Sequence, residues 1–175
     1  MKLLRKFNLL KNSSLKKYEE LIEMKNVLDN YSKDFANLLD RLSDLELDLE
    51  FLEDIYIEYE NKVTLAIKKD NIKLAKKALQ KRLMAYSDFL ELKNLVSHIY
   101  YCKYQIHNLL EKLEIEYSNI VFNYENNNSK ELSYCIKKFS KIEYNLSEEF
   151  KKINDVPEFI PPEFNLDAEL KNYIE

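Results

Sequence analysis

Residues 21–66 read LIEMKNVLDNYSKDFANLLDRLSDLELDLEFLEDIYIEYENKVTLA, and apolar side chains recur in this stretch at alternating steps of three and four. Leu21, Met24, Leu28, Tyr31, Phe35, Leu38, Leu42, Leu45, Leu49, Leu52, Tyr56, Tyr59, Val63 and Ala66 fill consecutive a and d positions without a break. A period of 3.5 sustained over that length keeps one stripe of a helix against a partner helix, which makes it a coiled-coil seam. Within it, residues 45–51 alternate apolar and acidic as a strand would. The heptad is preferred because it runs unchanged through and beyond them.

Working outward, the chain contains no glycine, and its three prolines are Pro157, Pro161 and Pro162. The usual punctuation of tight turns is therefore missing before Val156, which predicts long elements. The first break falls at 68–71, where Asp70 or Asn71 can cap a helix that turns back. On the return, Leu79, Leu83, Tyr86 and Leu90 form one stripe, and a phase shift follows over 92–99. Ile106, Leu110, Leu113, Tyr117, Ile120 and Tyr124 then restore the heptad, a pattern read as a stutter. A polar linker at 125–129 carries Asn128 and Glu131 at capping-box spacing. The third helix bears Leu132, Ile136, Phe139, Leu146, Phe150 and Ile153, with Glu143 interrupting.

The predicted fold is all-α: a long antiparallel coiled-coil helical hairpin with additional, shorter C-terminal helices. Its expected parts are a basic amphipathic segment (1–13), the hairpin (14–125), a third helix (129–154), and a Pro-containing linker with a short acidic helix (155–175).

Charged residues make up 33% of the chain and the formal net charge is -4, but the charge is segregated and the segments matter more. At the start, Leu3, Leu4, Phe7 and Leu10 share one helical face while Lys2, Arg5 and Lys6 lie opposite. Such a segment can lie in an anionic membrane interface, or be a frayed, solvated terminus. Lys68, Lys69, Lys73, Lys76 and Lys77 crowd the expected hairpin tip, whereas residues 40–60 are strongly acidic. Neighbouring chains could pair these two regions; solvated faces that aid solubility are the bland alternative. Leu47, Phe51 and Ile55 form a second apolar stripe away from the seam. It calls for another partner, either the third helix or a neighbouring subunit.

Enzyme chemistry is not expected. His98 and Cys102 are four apart, but two ligands do not make a metal site. Without glycine none of the usual phosphate-cradling loops can be written, and the basic tip lacks the interleaved aromatics of a nucleic-acid surface. Neither a metal nor another cofactor is expected. Cys102 and Cys135 are expected as reduced thiols in a cytoplasmic protein, since no export signal or spanning segment is evident.

The stretch from Tyr59 to Leu79, and in it Lys62, Leu65, Ala66, Leu74, Ala75, Ala78 and Leu79, resembles the hairpin tip of the phage shock protein A family. That family includes the vesicle-inducing protein of plastids and is related to ESCRT-III proteins. The resemblance continues more weakly over the remaining helices. It implies a peripheral membrane protein on the inner face of the plasma membrane, with residues 1–11 inserting and the hairpin polymerising. The alternative expectation is a soluble adaptor or chaperone for a protein client, including a transcription activator.

Overall fold

The computed structural model describes the backbone of residues 2–174 and the side chains of residues 18–174. The chain is all-α, with α1 (Lys2–Lys68), α2 (Ile72–Glu125), α3 (Ser129–Lys152) and α4 (Leu166–Ile174), and no strand among the described residues. α1 and α2 pack as an antiparallel helical hairpin. Every seam residue from Leu21 to Ala66 is buried or half-buried, as a continuous heptad requires. Between Leu45 and Leu49, which face inward, Leu47 points out and is 63% exposed. That disposes of the strand alternative.

Turns in a chain without glycine need residues that tolerate a left-handed backbone, and aspartate and asparagine do so best. Asp70 (φ 55°) and Asn127 (φ 53°) take that conformation just past the ends of α1 and α2. Each end closes as a Schellman motif. At the first, the N–H of Asn71 donates to the Ala66 carbonyl at 2.9 Å and that of Asp70 to Ile67 at 2.8 Å. At the second, Asn128 donates to Asn123 at 3.0 Å and Asn127 to Tyr124 at 3.2 Å. The following helices are capped in turn: Asn71 Oδ1 accepts from the Leu74 N–H at 3.0 Å, and Asn128 Oδ1 from that of Glu131 at 3.5 Å.

The chain divides into two compact units, Met1–Leu38 with Cys102–Lys152, and Leu39–Tyr101 with Ile153–Glu175. In the first, α3 folds onto the paired helices. Leu132, Phe139 and Leu146 are buried there with Cys102, Cys135, Ile106 and Leu113. The Phe150 ring stacks on Tyr31 at 5.6 Å and Phe35 on His107 at 5.8 Å. Both cysteines are free thiols, and burial pushes each pKa up.

Among the described residues of this unit Glu116 is the buried charge, accepting from Lys138 Nζ at 2.9 Å and from Asn119 Nδ2 at 2.9 Å. Burial alone would raise its pKa; the hydrogen bonds from Asn119 and Lys138 outweigh it and hold the carboxyl below its ordinary range. Because the folded state binds this proton less readily than the unfolded chain, the stabilisation is complete above the ordinary glutamate range. It is lost as pH falls through that range towards the depressed folded value. Glu116→Gln should cost about 1–3 kcal/mol at neutral pH and make the acid limb of the stability curve shallower. Urea midpoints measured from pH 7 down to pH 3 check both effects.

The second unit holds the hairpin turn. Its core is Val63 and Ala66 from α1 with Ala75, Ala78, Leu79 and Leu83 from α2; the small side chains let the two helices approach closely as they reach the turn. The C-terminal segment straps across this unit. The Pro157 carbonyl accepts from Asn94 Nδ2 at 3.2 Å, Phe164 lies 6.2 Å from the Tyr86 ring, and Leu166, Leu170 and Tyr173 pack on the core. Lys76 Nζ meets Asp167 at 2.7 Å.

The strap meets α2 at the 92–99 phase shift. α2 continues unbroken through it, and its extra apolar residues Leu92 and Leu95 line a depression with Val156, Pro157 and Phe159 of the strap.

Candidate interaction surface at the hairpin turn

Two open depressions lie between α1 and α2 in the second unit. The one nearest the turn, about 340 Å³, is floored by Ala66 and Ala78 and walled by Tyr59, Leu65 and Leu74. Leu65 and Leu74 are 53% and 52% exposed. Lys62, Lys69, Lys77 and Lys81 form its rim. Lys62 pairs with Glu58 at 2.6 Å and sits 4.6 Å from the Tyr59 ring centre, with Lys81 at 5.6 Å from the same ring. Among the described residues no carboxylate lies within ion-pair distance of Lys69, Lys77 or Lys81. Four ammonium groups around an apolar floor suit a partner that is both apolar and acidic.

The other depression, about 720 Å³, has Phe51, Leu52, Leu92 and Leu95 in its apolar lining and Asp48, Asp88 and Glu91 around them. Phe51 is 65% exposed. The strap's Val156, Pro157 and Phe159 border it, so part of the second apolar stripe meets the C-terminal segment of its own chain.

The residues expected to serve oligomerisation separate into distinct environments. Leu47 and Phe51 are exposed and Ile55 is half-buried; Lys68, Lys69, Lys73, Lys76 and Lys77 are all exposed. Lys69 and Lys77 rim the groove near the turn, whereas Lys76 is engaged by Asp167 of α4. Of the tip motif, Ala66, Ala75, Ala78 and Leu79 are buried, while Lys62, Leu65 and Leu74 face outward into the groove. The expected membrane-binding residues Lys2, Leu3, Leu4, Arg5, Lys6, Phe7 and Leu10 lie outside the residues whose side chains are described.

Sequence patterns missed the strap. Its signal was present in Val156, Phe159, Phe164 and Leu166, apolar residues spaced along a segment that proline holds extended. Such a segment has no period that betrays its partner.

No protein-family model, no curated protein and no solved structure matches this chain. No described helix is long and apolar enough to cross a membrane. Among the described residues no group of three or more His, Cys, Asp or Glu side chains is placed to hold a metal ion.

Proposed function

We propose that this chain is a membrane-associated, self-assembling protein of the phage shock type. On this reading it maintains or remodels the cytoplasmic face of the plasma membrane by polymerisation and interfacial helix insertion, without catalysis. The observation that carries it is the hairpin turn, where exposed apolar side chains sit inside a ring of four lysines, of which Lys62 is paired with Glu58, while an acidic, apolar patch lies open in the same unit. A surface divided in this way favours association with copies of itself. The basic amphipathic sequence of residues 1–11 supplies the interface anchor.

Three cations near anionic lipid, Lys2, Arg5 and Lys6, contribute about 1 kcal/mol each, so one chain holds weakly and an assembly holds well. Pelleting with anionic vesicles should fall by at least about tenfold when residues 1–11 are removed. It should also weaken with added salt. Equal pelleting of the full and shortened chains would exclude the anchor.

The open apolar depressions also favour a second reading, a soluble adaptor or chaperone presenting Phe51 and Leu65 to a protein client. A discrete particle that ignores vesicles would support that reading over the first.

A further inference from the structure

We propose that two copies of this chain pair face to face, turned end for end, so that the lysine-rimmed groove of each covers the acid-rimmed depression of the other. The inference rests on the self-association part of the reading above and supplies its contact.

The two depressions are the same place on the hairpin repeated two heptads apart. On α1, Asp48, Phe51 and Leu52 border the acidic one, and Lys62, Leu65 and Ala66, each fourteen positions later, border the basic one. On α2 the matching residues are Glu91 and Leu92 against Lys77 and Ala78, again fourteen apart. Fourteen residues are four helical turns to within about 40°, so both depressions open on one side of the hairpin, about 21 Å apart. They share an apolar floor and differ in the sign of the rim.

A single copy cannot bring them together, because they lie along the same continuous helices. A second copy, rotated about a two-fold axis midway between them and perpendicular to the helices, satisfies both at once. That rotation lays α1 on α1 and α2 on α2. Phe51 of each copy then meets Leu65 of the other, Asp48 approaches Lys69, and Glu91 approaches Lys77. The exposed apolar groups are buried and the unpaired lysines gain carboxylates.

Phe51 and Leu65 are both mostly exposed, so cysteine at either position is tolerated by the fold. A disulfide needs Cα atoms within about 7 Å, so residues 51 and 65 cannot bridge within one chain. Under mild oxidation the variant F51C/L65C should give a covalent dimer, and F51C or L65C alone should give none; the native thiols Cys102 and Cys135 are buried and do not compete. Adding K69E/K77E to the double variant should abolish the bridge, and adding D48K/E91K as well should restore it. Sedimentation of the chain with native cysteines should show a dimer whose dissociation constant rises at least about tenfold with K69E/K77E. A double variant that stays monomeric, or single-cysteine variants that cross-link equally well, would overturn the pairing. The vesicle assay is separate: loss of lipid binding with bridging intact ends the membrane reading alone, and unchanged lipid binding without bridging ends this pairing alone.

Discussion

Phe139→Ala should destabilise the first unit by about 3–5 kcal/mol, the range for removing a buried aromatic ring without refilling its space. Phe139 is among the largest fully buried side chains, 1% exposed, and anchors α3 between Leu132 and Leu146 on its inner face. α3 is 24 residues long, and its neighbours on α1 and α2 are themselves helical, so the cavity cannot close by a small backbone shift. Urea unfolding followed by far-ultraviolet circular dichroism provides the check, with the signal of the two units fitted separately if they unfold apart. A loss below about 1 kcal/mol would mean that α3 does not rest on this residue.

The second large effect is expected at the other end of the chain. Leu170→Asp sets a carboxylate among Val63, Ala66, Ala75, Ala78 and Leu79, where it has no partner. The strap escapes that cost by detaching. α4 has nine residues, too few to hold a helix alone in water, so it should unfold as it leaves. A penalty near 3 kcal/mol shifts the docked and free populations by more than a hundredfold. Hydrogen exchange of residues 166–174 should accelerate accordingly, while the amides of α1 and α2 in the same unit keep most of their protection. Unchanged exchange at α4 would show that Leu170 is not what holds the strap. Lys76 and Asp167 form an exposed ion pair, which is screened by solvent and is not expected to retain α4 once the apolar anchor is gone.

The hairpin was legible because a coiled coil is a local code. Leu21 to Ala66 repeat on one period, and Asp70 and Asn71 interrupt it where a turn must fall, so helix, seam and turn follow from neighbours in sequence alone. The capping of α3 by Asn128 was legible for the same reason. The stripe of Leu47, Phe51 and Ile55 was legible as a surplus, but not its surroundings: it named neither Val156 nor Phe159 as neighbours. Likewise the lysines at 68–77 read as one basic cluster, although Lys76 serves α4 while Lys69 and Lys77 face the open groove.

By itself, then, the sequence determined that this protein is helical, where its first two helices meet, and which residues of α1 line their contact. Each of these depends on spacing within a single helix. Only the tertiary structure decided that Val156 to Phe159 border Leu92 and Leu95 while Leu166, Leu170 and Tyr173 pack on the core at the hairpin turn, and that two apolar depressions with opposite rims open on one side. Those facts arise from segments distant in sequence meeting across a surface, and a non-periodic apolar segment carries no mark of which surface will bury it.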